Sequence, residues 1–213
     1  MSWLSANWQM VCDYALAHLA LAIPAILCSV LVAVPIGRLA HRHPRWGKPI
    51  LSAASLLYAV PALPLLVIIP ALAGTRLRSN ATMIIALTVY GVALLVRTAA
   101  DAFAAVDRRT HDAAIAVGNS PRSVFWRVDL PLAAPVLLAG VRVVTVSTIG
   151  LASIGALVGI PSLGSLLTDG LQRRLTLEIC TGIVGTVALA ILLDVLLVIG
   201  GRLALPWTRK AHP

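Results

Sequence analysis

An all-α membrane protein with about five transmembrane helices is the fold class this sequence predicts, on three observations. Of 213 residues, 59% are hydrophobic and 12% charged, about half the ~25% charged content of soluble globular chains. The charges are clumped, leaving five long apolar stretches near the ~20 residues that cross ~30 Å of hydrocarbon. The basic residues sit in short tracts beside those stretches, so the formal net charge of +9 reads as anchoring to the bilayer and orientation in it. Nucleic acid is not expected as a partner.

The chain opens on MSWLSANWQMVCDYALAHLALAIP. No Lys or Arg precedes its apolar run, so a secretory signal peptide is not expected and the first span is read as retained. Trp3, Trp8 and Tyr14 suit an interfacial segment over residues 1–15. The predicted spans are Leu16–Gly37, Ile50–Ala71, Ala81–Ala100, Leu132–Val158 and Leu177–Gly200. The second contains YAVPALPLLVIIP, where Pro61, Pro64 and Pro70 each remove a backbone donor. It should be kinked or broken, with its freed carbonyls facing protein or water. Either a bent, packed helix or a segment along a pathway fits.

Orientation follows from the basic residues. One side collects Arg38, Arg42, Arg45, Lys48, Arg108, Arg109, Arg122, Arg127, Arg202, Arg209 and Lys210, and the other only Arg76, Arg78, Arg173 and Arg174. The positive-inside rule places the N-terminus outside and the C-terminus in the cytoplasm. Residues 101–131 then form a cytoplasmic loop, and residues 159–176, with GIPSLGSLLTDGLQRR, form an extracytoplasmic re-entrant or surface scoop, since their apolar run is too short to cross. The whole chain, 1–213, reads as one transmembrane domain.

The cytoplasmic loop carries THDAAIAVGNSPRSVFWRVDLPLAAP, Thr110 to Pro135. Thr110 can cap a helix with Asp112 in its first turn, where an acid suits the helix dipole. Gly118 is a natural left-handed terminator. Ser120 and Pro121 restart a second helix as cap and first residue. Val124, Phe125 and Val128 line one face of it, and Pro131 is expected to stop it. A helix of two turns is not stable alone in water. Ala113, Ala114, Ala116 and Val117 give it a surface of small side chains, so it reads as a peg for a groove on another protein, with packing on its own bundle as the alternative.

This stretch resembles the EAA signature of ABC-importer permeases. Asp112, Ala113, Ala114, Gly118, Val128, Leu130 and Pro131 fall in register with acidic–Ala–Ala, the glycine, and apolar–x–Leu–Pro. Asp stands where the family usually has Glu. The resemblance implies a MetI-like permease fold and a bacterial inner-membrane location. It makes Asp112, Ala113, Ala114, Val117, Gly118 and Pro131 the elements of a coupling helix that docks into a cytoplasmic ABC ATPase. The implied partners are that ATPase, a second permease and an extracytoplasmic substrate-binding protein. ATP and Mg would be bound by the ATPase, and this chain would hold no cofactor and catalyse nothing. PALPLLVIIPAL, IALTVYGVALLVRTAADAF, LPLAAPVLLAGVRVVTVSTIGLASIGALVG and ALAILLDVLLVIGGRL resemble the osmoprotectant branch, permeases for glycine betaine, carnitine, choline or proline. A methionine or other amino-acid permease is the alternative substrate class, and a stand-alone secondary carrier is a rival from outside the family. GIPSLG, Gly159 to Gly164, departs from the family's GxGGLG.

The spans hold few polar residues. Asp194, about 10 Å from the cytoplasmic end of its span, is costly alone in hydrocarbon and should pair with Arg97 or Arg142. Arg97 and Asp101 have the spacing of a same-face pair. Asp169 and Glu178 should be solvated outside, and His18 reads as a satisfied polar residue. Tyr58, Pro61, Pro64, Tyr90, Ser147, Thr148, Gly150 and Ser153 are candidates for lining or hinging the translocation path. Cys12, Cys28 and Cys180 read as small buried residues. No His, Cys or carboxylate spacing suggests a metal.

Overall fold

The computed structural model describes residues 2–207, whose main elements are ten α-helices, a π turn and a six-residue 3₁₀ turn. Arg209 and Lys210 lie outside the described residues. The short α1 (Ser2–Ala6) touches the last helix of the chain. It is followed by α2 (Trp8–Arg42), whose 35 residues extend about 50 Å. The first span is therefore longer than its apolar run implied. Trp8 and Tyr14 belong to it, and the separate N-terminal segment shrinks to α1. Pro24 and Pro35 lie inside α2 without ending it.

Against α2 lies α5 (Asn80–Ala104), and this is the most extensive helix pair in the bundle. Their close approach needs a bare backbone at Gly91, where a Cβ would come within 2.1 Å of Ser29 Oγ. Ser29 itself donates to Ala25 O at 2.7 Å and Thr88 O at 3.2 Å, tying the two helices together. Leu21, Leu66, Met83 and Leu87 fill the core at one end of this pair, and Ala99, Phe103 and Leu137 fill it at the other.

The second predicted span is two helices, α3 (Pro44–Ala59) and α4 (Ala62–Ala73), bent by 111° at the break. Of the three prolines only Pro61 marks the break. Pro64 falls in the first turn of α4, where no donor is needed, and Pro70 sits within α4 near its end. Tyr90 donates its hydroxyl to the Val60 carbonyl beside the break, satisfying a group the helix no longer serves.

After α5 come α6 (Arg108–Ala116), α7 (Pro121–Val124), a π turn (Phe125–Asp129) and α8 (Leu130–Ala152), which runs into a 3₁₀ turn (Ser153–Val158). The expected stop at Pro131 is absent. Leu130 N–H reaches back five residues to Phe125 O, so the chain is already widened where the proline ring follows. Residues Pro121–Val158 thus form one continuous 38-residue rod. The predicted scoop contains an amphipathic helix, α9 (Gly164–Arg173), with Leu163 and Leu166 buried against neighbouring elements. It packs on α10 (Thr176–Ala204) and the 3₁₀ turn.

Glu178 is not solvated. It is 2% exposed in the first turn of α10, and its Oε2 has no hydrogen-bond partner. The fold of α9 over the start of α10 covers it. The cysteines differ from expectation too, Cys28 and Cys180 being exposed and Cys12 half-buried, all as free thiols.

Candidate functional site: an exposed elbow and an intramembrane ion pair

The elbow helix α6 begins before Thr110. Asp107 is its cap, its carboxylate accepting from Arg109 N–H at 3.0 Å. Both residues are good caps, but the chain leaving α5 turns at Asp107, so Asp112 falls in the second turn. There it lies 3.8 Å from Arg108, with both side chains open to solvent. At the other end the Asn119 N–H bonds Ala114 O at 3.3 Å and the Gly118 N–H bonds Ile115 O at 2.9 Å, with Gly118 at φ +89°. These are the paired closing bonds of a Schellman motif. The Asn119 amide donates to Ala114 O as well, at 3.1 Å. Ser120 then caps α7, accepting from Ser123 N–H at 3.3 Å, with Pro121 at its start.

No residue of α6 is buried. Asp112, Ala113, Ala116, Val117 and Gly118 are exposed and Ala114 is half-buried. Val117 reaches 77% exposure and Ile115 48%, so the helix offers an apolar surface that its own bundle does not cover. It is held to the bundle by His111, whose Nδ1 lies 2.8 Å from Asp129 Oδ1 in the π turn. The π turn is fixed in its own way: Val124 is buried, and Arg38 of α2 places its guanidinium 3.5 Å from the centre of the Phe125 ring, a cation–π contact. Phe103 of α5 packs on the same ring at 6.1 Å. The sequence gives little sign of these anchors, because His111–Asp129 and Arg38–Phe125 join residues distant along the chain.

The structure brings Asp194 of α10 to Arg142 of α8. Nε donates to Oδ1 and Nη2 to Oδ2, each at 2.7 Å, a bidentate pair. Arg97 is directed elsewhere, its guanidinium 3.5 Å from Ser55 Oγ, and it forms no ion pair with Asp101. Because α10 runs on to Ala204, Asp194 stands about 15 Å along the helix from its end.

The other candidates divide. Tyr58 and Tyr90 meet edge to face at 6.2 Å beside the break at Pro61, Tyr58 exposed and Tyr90 buried. Pro61, Pro64 and Gly150 are exposed and Ser147 is half-buried. Thr148 is 2% exposed and faces the bundle. Adjacent helical residues point about 100° apart, which separates it from Ser147. Ser153 is partly buried, with an Oγ that has no partner. His18 lies fully buried with Nε2 3.0 Å from Ile149 O, while its Nδ1 has no partner. Among the described residues no His, Cys, Asp and Glu cluster is arranged to hold a metal ion.

A bundle of long apolar helices that extends a capped helix out of its own core, with an ion pair between two of those helices, suits a membrane transport subunit. Residues 25–210 match the family described as binding-protein-dependent transport system inner membrane component, and the chain belongs to that family. It is accordingly a multi-pass inner-membrane translocation subunit. It is 29% identical over 189 residues to the choline transport system permease protein OpuBB of Bacillus subtilis (strain 168), covering 89% of this chain and 86% of that one. It is 30% identical over 187 residues to the osmoprotectant import permease protein OsmW of Salmonella typhimurium, covering 84% and 85%. In fold it is similar to the inward-facing MetNI methionine ABC transporter, with a TM-score of 0.76 at 19% identity over 94% of this chain and 97% of that one.

Proposed function

We propose that this chain is the transmembrane subunit of an ATP-driven, binding-protein-dependent importer of osmoprotectants such as glycine betaine, choline or carnitine. Two permease subunits, identical or paired with a sister chain, enclose the path. A cytoplasmic ABC ATPase drives it and an extracytoplasmic binding protein feeds it. The permeases to which the chain is similar along most of its length carry such substrates by name. The elbow faces the cytoplasm. In support, Arg38, Arg42 and Arg108 line one cavity of about 510 Å³ between the end of α2 and α6, the concentration of positive charge that the positive-inside rule assigns to that side.

The observation that carries this reading is the exposure of α6. A helix of 9 residues is marginal in water without packing, and this one keeps its apolar side chains uncovered. A cleft on the ATPase supplies the missing partner. When two ATPase subunits close on ATP, they displace the two elbows. Because Pro121–Val158 is one rod, that displacement reaches α8 as a tilt and rocks the bundles between inward- and outward-open states.

The test places a cysteine at Val117 in a chain whose three native cysteines are replaced by alanine, co-expressed with the ATPase. Disulfide or short-linker crosslinking to the ATPase is expected, together with glycine betaine uptake by proteoliposomes that hold the binding protein on one face and ATP on the other. Labelling of Val117→Cys by an impermeant reagent from the cell exterior would refute the docking. Uptake of methionine in place of osmoprotectants would reassign the substrate.

A further inference from the structure

Resting on the reading above, we propose that the Arg142–Asp194 pair is a substrate station for a small zwitterion, Arg142 receiving its carboxylate and Asp194 its cationic end. The pair lies deep in the spans. Arg142 is about 18 Å along α8 from Leu130, and Asp194 about 15 Å from the end of α10. Its side chains are nevertheless 42% and 26% exposed. Charged groups open to hydrocarbon are costly, so the face they share belongs to water or to protein in the assembled transporter.

That face holds a shallow, open hollow. Ala139, Arg142, Val143, Val146, Ser147 and Asp194 line a cavity of about 510 Å³, ample for a molecule of betaine size. A second cavity, of about 210 Å³, shares Ala139 and Arg142 and continues along the α8–α10 seam to Arg202 and Leu205. Arg142 thus stands at the junction of a groove that runs from mid-depth to the elbow end of the bundle. A static packing pair has no need of such a groove.

The charges define the ligand. The pair is neutral as a unit, and in a medium of low dielectric constant any net charge added beside it is penalised. A zwitterion such as glycine betaine or carnitine exchanges one ion pair for two without adding charge, whereas a net cation such as choline leaves one group uncompensated, so that of the proposed substrates choline should be carried least well. Arg142 offers its planar fork to a carboxylate. A quaternary ammonium needs no hydrogen bonds, and the methyl groups of Ala139, Val143 and Val146 suit its apolar surface beside the Asp194 carboxylate. The Ser147 hydroxyl adds a donor to the wall.

The experiment uses the full transporter, with ATPase, companion permease and binding protein, in proteoliposomes, and measures uptake of radiolabelled glycine betaine. The variant R142Q/D194N keeps hydrogen-bonding side chains at both positions and removes the charges. The variant R142D/D194R keeps the ion pair and reverses it. Both are expected to assemble with unchanged elution volume and a melting temperature close to wild type, and both to lose glycine betaine uptake at least tenfold, the loss appearing in the KM for substrate delivered by the binding protein. Wild-type uptake by R142Q/D194N, or full restoration by R142D/D194R, would show the pair to be packing alone and overturn the proposal. A wild-type transporter that imports no osmoprotectant would instead refute the functional reading. The same variants would then be scored on methionine, itself a zwitterion, with the same two outcomes.

Discussion

Gly118 sits at φ +89°, and no atom lies within 4 Å of the place a Cβ would take. A substitution there meets no clash, so its effect comes from backbone conformation alone. An L-residue in the left-handed region costs about 1–2 kcal/mol, with asparagine tolerated best. Gly118→Asn is therefore expected to retain most uptake. Gly118→Val, β-branched, should reduce uptake by about tenfold while leaving the amount of chain in the membrane unchanged on immunoblots. Equal activity of the two variants would mean that the elbow does not need its Schellman closure. This glycine was legible because it follows an alanine-rich turn and precedes Ser-Pro. The start of the same helix was not, because DRRTHD holds two good caps, and the direction in which the chain leaves α5 chooses Asp107. Glu178 was illegible for a related reason. Its exposure depends on how α9 folds over it, and no local pattern records that.

At the scale of elements, the apolar runs placed the spans well and their ends poorly. Ala81–Ala100 became Asn80–Ala104 and Leu177–Gly200 became Thr176–Ala204, because helices continue past the apolar window until a turn stops them. The prolines of the second span foretold a break but not its size. The 111° bend arises where Pro61 and the Tyr90–Val60 bond fix the chain between α3 and α4. Helix pairing is sharper still in its demands. Gly91→Ala would bring a Cβ to 2.1 Å from Ser29 Oγ and 2.7 Å from Ser29 Cβ, and Ser29 is held in place by its bonds to Ala25 and Thr88. Overpacking of this kind costs about 1–3 kcal/mol. The melting temperature of the purified protein should fall by several degrees, measured by intrinsic fluorescence in detergent. Gly91→Ala combined with Ser29→Ala should recover part of the loss. An unchanged melting temperature for Gly91→Ala would mean that α2 and α5 do not meet so closely.

For the whole molecule, the bundle is uneven. In α5 56% of the apolar window is buried within the chain, against 6% in α10. A helix this exposed suits the proposed second permease and aqueous path, and Arg142 and Asp194 are themselves partly exposed, at 42% and 26%. The elbow was easier to read in the sequence than the interior, because its helix, glycine and Ser-Pro restart lie within one local stretch, while the ion pair between α8 and α10 joins residues 52 positions apart in the chain.

The π turn at Phe125–Asp129 has one more consequence. Such a turn is an α-helical turn with a residue added, so it sets the angular phase between the elbow and α8. Deleting Trp126, which is 65% exposed, would return the rod to ordinary pitch and swing the elbow about 100° around the axis. The motor would then turn a crank set at the wrong angle. ATP hydrolysis by the assembled complex is expected to persist while uptake falls at least tenfold, so that fuel is spent and nothing is carried.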